Sequence, residues 1–344
     1  MRTTMNPWLL KVGGGARPAG AAAGPDAPWA RLVALPHAGG WPSAFRSWTR
    51  VVPAGVEFLV AQLPGRGLRA AEPPLRRVGA LVDGLAGALA ERAPLPYVIV
   101  GHSFGSVLGY ELTRAMERAG LPPRHLVVSA RQPPCFPSEP PYGHRRTDAE
   151  LLEHLVDIGG IAPDLLHRAD LVRPALAAIR ADLEAMETYE RPATGTGVPI
   201  LSLGAADDPI VVADRLHLWS LETTGPFARR MFTGGHFYLY ESHVAEAVVT
   251  QLTTHCLPRP AAHPERIHIA HHDRTAAPGG PPGMARPGSA GAADAPALHR
   301  HERPAPRGAA HQREPAAQRP ADAVDHRHLR LHDRRVPGHH GNPR

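Results

Sequence analysis

The stretch Val98-Ile-Val-Gly-His-Ser-Phe-Gly-Ser-Val-Leu-Gly109 constrains this chain more than any other. A β-branched apolar run, Val98 to Val100, meets Gly101-His-Ser103-Phe-Gly105, and a helix-like segment follows from Ser106 to Ala119. That order of strand, turn and helix is the context a G-x-S-x-G nucleophile elbow requires. The two glycines have a steric reason, because a strand reversing into a helix within one residue leaves no room for side chains flanking the serine. Such a turn lifts the Ser103 hydroxyl out of the sheet, where a base can reach it.

An elbow of this kind needs a parallel sheet around it. Apolar runs at Arg31 to Leu35, Val56 to Leu63, His125 to Ala130, Val198 to Gly204 and Phe227 to Thr233 read as further strands. Ser43 to Val52 has helical spacing of Phe45, Trp48 and Val51 or Val52, with Ser43 as N-cap. Leu75 to Ala93 sets Leu75, Val78, Leu81, Val82, Leu85 and Leu89 on one face, as an amphipathic crossover helix does. Ser242 to about Thr254 repeats that pattern at the end of the domain. Strands alternating with helices at this pitch predict an α/β fold with a mostly parallel central sheet covered on both faces.

The alternation breaks once. Five prolines in eleven residues from Gln132 to Tyr142 exclude regular structure there. A capping box, Thr147-Asp-Ala-Glu150, then precedes Leu151, Leu152, Leu155 and Val156. Ala162 to Leu166 reads as a short turn, and Leu171 to Tyr189 as a longer helix. Residues from about 132 to 190 are therefore expected to be a helical lid inserted between two strands. Leu155, Ile179, Leu183 and Met186 would line an apolar chamber beneath it.

Composition sets the limits of the domain. Gly13 to Pro28 is almost entirely Gly, Ala and Pro, which bury too little to offset ordering entropy, so residues 1–29 are expected to be an arm or linker. Residues 30–257 hold the domain. From Arg259 to Arg344 there are 14 Arg against 8 Asp and Glu, which accounts for the whole net charge of +6. This stretch also holds 12 of the 22 histidines and no aromatic residue, so residues 258–344 are expected to be a disordered Arg/His/Pro/Ala-rich tail. With the charge off the folded surface, neither nucleic acid nor a membrane is expected as partner. Two cysteines make no disulfide framework and neither has metal-type spacing. Trp8-Leu-Leu10 is too short for a signal peptide, and no window approaches a membrane span, so the chain is expected to be cytoplasmic.

The chemistry lies at the C-terminal ends of the strands. Val198 to Gly204 runs into Asp207-Asp208-Pro209, where either carboxylate suits the third member of a triad. His236 follows the last strand, between a Gly-Gly turn and a helix start, which suits a general base. His102, beside the nucleophile, His217 and His243 are the other candidates, and His37 reads as a loop-shaping residue. The order Ser, Asp, His is that of the α/β-hydrolases. The Gly-rich loop His37-Ala-Gly-Gly40 after an early strand offers one oxyanion donor, Ala38 N–H, and the residue after the nucleophile offers the other, Phe104 N–H. Neither a metal nor a cofactor is expected.

Several motifs occur together: Pro36-His-Ala-Gly-Gly40, Gln62-Leu-Pro-Gly-Arg66 with Arg69 and Glu72-Pro73, Gly101-His-Ser-Phe-Gly105, Asp208-Pro209 and Gly235-His-Phe237. In this the chain resembles the type II thioesterases of polyketide and nonribosomal-peptide assembly lines, over about residues 6 to 256. The resemblance implies a stand-alone α/β-hydrolase that removes acyl groups from the phosphopantetheine thiol of acyl or peptidyl carrier proteins. It implies Asp208 rather than Asp207 as the triad carboxylate. The chain is expected to be a monomer. The long Gly/Ala/Pro arm and the tail are not features of that family. Two other functions use the same residues differently: a small-molecule carboxylesterase or lipase with the same triad, and a non-catalytic carrier-protein-binding module.

Overall fold

A computed structural model describes residues 6–13, 27–164 and 169–257. The strands are β1 (Leu9–Lys11), β2 (Ala30–Leu35), β3 (Val56–Ala61), β4 (Tyr97–His102), β5 (His125–Ser129), β6 (Ile200–Ala205) and β7 (Phe227–Phe232). They form one sheet in the order β1-β3-β2-β4-β5-β6-β7, parallel throughout except for β1. Every residue of β2, β4 and β6 is buried, which is why these strands read as largely apolar runs, broken only by Arg31, His102 and Ser202.

Alternation along the strands divides the core in two. Val33, Leu35, Leu59 and Ile99 face one side, beneath helices α1 (Val78–Ala90) and α2 (Phe104–Arg118). Leu32, Ala34, Phe58, Val98 and Val100 face the other, against Phe45, Trp48 and helix α5 (Ser242–Gln251). The triad elements share one edge because parallel strands end together. A cleft of about 1000 Å³ opens at the opposite edge, lined by Arg31, Tyr97, Arg124 and Val198, and no triad residue lines it.

Three expectations change. Residues 6–13 belong to the body and not to an arm: β1 pairs antiparallel with β3, Leu10 opposite Val60. Trp8 anchors it, stacked under the Arg69 guanidinium at 4.1 Å and filling the space a Cβ on Gly84 would take. A three-residue strand is too short to show a period. The helix expected from Ser43 is instead two 3₁₀ turns, Pro42–Phe45 and Trp48–Arg50, and Ser43 caps neither. Pro42 sits at the first turn, and packing dominates, since Phe45 and Trp48 are buried and Trp48 Nε1 donates to the Leu239 carbonyl at 3.0 Å. The crossover helix begins at Val78, after the prolines, not at Leu75. Residues 14–26 of the linker and the tail 258–344 lie outside the described residues.

The insertion between β5 and β6 holds α3 (Asp148–Asp157) and α4 (Ala169–Glu187). The capping box at Thr147 is present, with Thr147 N–H donating to Glu150 Oε2 at 2.7 Å and Glu150 N–H to Thr147 Oγ1 at 3.3 Å. Leu151, Leu152, Val172, Leu176 and Ile179 form a small cluster of their own, with Leu155 and Leu183 packed on it. Met186 is not part of it. About two turns beyond Ile179, it packs against the main core instead. Among the described residues no helix is long and apolar enough to cross a membrane.

Candidate active site

Ser103 has φ 53° and ψ −115°, a left-handed conformation that costs a non-glycine residue about 1–3 kcal/mol. The surroundings hold it there. A Cβ on Gly101 would lie 2.1 Å from the Gly105 carbonyl oxygen, and one on Gly105 would lie 2.0 Å from that of Leu35. Ser103 N–H donates to the Ser129 carbonyl at 2.8 Å, and Ser106 Oγ donates to the carbonyls of Gly101 or Ser129 at 3.0 and 2.9 Å. Ser129 N–H donates in turn to Ser106 Oγ at 3.0 Å. The elbow is thus pinned between β4 and β5 by a buried serine that motif spacing alone did not single out.

His236 Nε2 lies 3.0 Å from Ser103 Oγ, and His236 Nδ1 lies 2.9 Å from Asp208 Oδ2. A carboxylate oxygen accepts, so Nδ1 carries a proton and Nε2 is left to accept from the serine hydroxyl. The other oxygen, Asp208 Oδ1, accepts from the N–H groups of Ile210 at 2.9 Å and Val211 at 3.2 Å. Asp207 points elsewhere: its Oδ2 accepts from Gly234 N–H at 3.2 Å, tying the β6 loop to the loop that carries His236. The structure thus brings Asp208, and not Asp207, to the imidazole. The side chains of His236 and Asp208 are 3% and 1% exposed, so their hydrogen bond is shielded from water.

Ala38 follows β2 and Phe104 begins α2. Among the described residues, neither backbone N–H has a protein acceptor. The loop between them and the sheet is shaped by His37, whose Nδ1 lies 2.7 Å from the Tyr240 hydroxyl and whose carbonyl accepts from Gly40 N–H at 2.8 Å. Part of His37 is accessible, but its ring is enclosed by Tyr240, Phe237 and His102. Burial, then the neighbouring His236 and Arg66, push it down to about 3. His102 is fully buried behind Ser103, with Nδ1 3.0 Å from Ser129 Oγ, and burial, then His236 and His37, hold it well below the ordinary histidine range. Both rings are therefore neutral near pH 7, and of the three histidines His236 is the one hydrogen-bonded to Ser103. His217 and His243 are exposed, and their Nδ1 atoms lie against the Asp214 carbonyl and the Glu241 carboxylate. Above the site, the turn after α3 brings Gly160 against Phe237, beside His236.

This sheet order, with a serine elbow after β4, an aspartate after β6 and a histidine after β7, defines an α/β-hydrolase. Within that class the chain belongs to the thioesterase family, whose domain matches residues 30–256. It is 34% identical over 239 residues to a probable cadicidin biosynthesis thioesterase of Streptomyces griseus, covering 69% of this chain and 63% of the relative, so it spans less than two thirds of that protein. It is 32% identical over 214 residues to the gramicidin S biosynthesis protein GrsT of Aneurinibacillus migulanus, covering 62% of this chain and 84% of the relative. Among solved structures it is similar to BorB, the type II thioesterase of the borrelidin biosynthetic cluster, with 35% identity, a TM-score of 0.64, and coverage of 74% of this chain and 100% of that one.

Proposed function

We propose that the protein is a stand-alone editing thioesterase that hydrolyses acyl groups from the phosphopantetheine thiol of acyl or peptidyl carrier proteins, with Ser103 as nucleophile. The observation that carries this reading is the hydrogen-bonded line Ser103–His236–Asp208 beside the two unpaired N–H groups of Ala38 and Phe104. Ser103 Oγ attacks the thioester carbonyl while His236 Nε2 takes its proton. Asp208 holds the Nδ1 proton and stabilises the imidazolium, and Ala38 and Phe104 N–H groups receive the oxyanion. Collapse expels the thiol, which takes the proton from His236. Water, deprotonated by the same nitrogen, then attacks the acyl-serine and releases the acid. The chemistry calls for no metal or cofactor of the protein's own, since the pantetheine arm belongs to the substrate.

The test compares hydrolysis of an acyl-carrier protein with that of p-nitrophenyl esters, for the wild type and Ser103→Ala. Preference for the carrier-bound thioester, with turnover removed in the variant, is expected. Preference for the free esters would make the protein a carboxylesterase. Failure of a fluorophosphonate to label Ser103 would make it a non-catalytic binding module.

A further inference from the structure

Asp182 lies in the middle of α4, on the face that carries Ile179, and is completely buried. Its carboxylate has three donors. Arg66 NH1 gives to Oδ2 at 2.6 Å and Arg66 NH2 to Oδ1 at 2.7 Å, a two-pronged pair with an arginine that is itself 3% exposed. The third is a backbone group: Gly39 N–H donates to Oδ2 at 2.7 Å. Gly39 directly follows Ala38. It has φ +74°, and a Cβ there would lie 2.2 Å from Ile179 Cγ1, one turn before Asp182 on the same helix. A helix of the insertion therefore grips the Gly-rich loop twice, once through a carboxylate and once through an aliphatic side chain.

Resting on the thioesterase reading above, we propose that Asp182 is a positioning residue for the oxyanion hole. It holds Gly39 N–H, and through it the Ala38 peptide, in the orientation that aims Ala38 N–H at the developing oxyanion. Arg66 serves to hold the carboxylate in place. Gly39 has no side chain to steer it and its left-handed backbone is one a glycine readily leaves, so the loop depends on this outside acceptor. The hole is consequently complete only while α4 is seated, which links the insertion to the chemistry and not merely to access. The N-terminal part of α4 and α3 share a separate small core, whereas the Asp182 turn is fixed to the body.

Removing one member of a buried ion pair destabilises a fold strongly, whereas replacing both by apolar groups of similar size is often neutral. The test therefore uses two double variants. Arg66→Met/Asp182→Asn removes both charges but keeps a carbonyl acceptor for Gly39 N–H. Arg66→Met/Asp182→Leu removes the acceptor as well. The Leu form is expected to show a kcat about 100-fold below the Asn form, with KM within about threefold, since losing one oxyanion donor or misplacing it by about 1 Å costs roughly that much. Affinity for a methyl trifluoromethyl ketone, whose hemiketal oxyanion occupies the hole, should fall in step, a change that a general loosening would not mirror. Equal kcat in the two folded variants would overturn the proposal.

Should the Leu form not fold, hydrogen exchange in the wild type decides. The Gly39 amide should be protected as strongly as the amides of α4 around Asp182, and free exchange at Gly39 with α4 protected would overturn the proposal. Rates are read on a p-nitrophenyl ester as well as a thioester. A wild type inert toward thioesters then sinks the functional reading while the comparison of the two variants still stands or falls on its own.

Discussion

Asp208→Asn tests the site most sharply, because the structure dictates which way the new amide must face. The N–H groups of Ile210 and Val211 both donate to Asp208 Oδ1. An asparagine keeps these two bonds only by leaving its carbonyl oxygen in that place. Its NH₂ then occupies the position of Oδ2, 2.9 Å from His236 Nδ1. Two donors cannot share that gap, so the imidazole shifts its proton to Nε2, which then faces Ser103 Oγ and can no longer accept. Turning the amide over is opposed by setting its NH₂ against two backbone donors. A wrong tautomer of this kind costs about 10⁴-fold in kcat, which is ~5 kcal/mol of barrier. Asp207→Asn retains an oxygen for Gly234 N–H, and as an exposed substitution it should change kcat by no more than about threefold. The assay is steady-state hydrolysis of one acyl thioester by both variants, with melting curves to establish that both are folded. Equal losses, or a larger loss for Asp207→Asn, would refute the assignment.

Gly105→Ala places a Cβ 2.0 Å from the Leu35 carbonyl oxygen and must displace the elbow, so kcat should fall by about 100-fold or more. Gly87→Ala, in α1 with nothing within 4 Å, should instead raise stability by about 0.5–1 kcal/mol with hydrolysis unchanged; the same outcome for both glycines would contradict the steric account. Met186→Trp overfills the main core, so chemical denaturation should register a loss of about 1–3 kcal/mol while the acyl-length profile stays as in the wild type. A changed acyl-length profile would put Met186 in the substrate chamber after all. Burial depresses His37 to about 3 and His102 well below its ordinary value, so the unfolded chain binds more protons than the folded one as pH drops below about 6.5. Their contribution to stability is full above that pH and is lost progressively on acidification toward about 3; a melting temperature that does not change between pH 7 and 4.5 would contradict it.

Much of this was legible in the residues because it is local. Sheet strands buried on both faces must be mostly apolar, the elbow needs its two glycines whatever surrounds it, and Thr147 and Glu150 cap α3 with neighbours three residues apart. The order of Ser103, the aspartate pair and His236 along the chain placed each at a strand end. The rest is contact between segments far apart in sequence. The chemistry of two adjacent aspartates does not tell them apart, and only the family resemblance favoured Asp208; the backbone N–H groups of Ile210 and Val211 on one side and the histidine loop on the other give the physical reason, and only once folded. Leu9–Lys11 becomes a strand because β3 presents an open edge and Arg69 and Gly84 receive Trp8, none of which shows in three residues. Met186 and Ile179 belong to the same apolar stripe by period, yet they face different cores because α4 spans two packing surfaces. A single acidic residue within that stripe, Asp182, was visible in the sequence. Its partners, Arg66 and the Gly39 amide, are 116 and 143 residues away, and only tertiary packing brings a buried carboxylate to a loop peptide at a glycine, with no side chain to hold it.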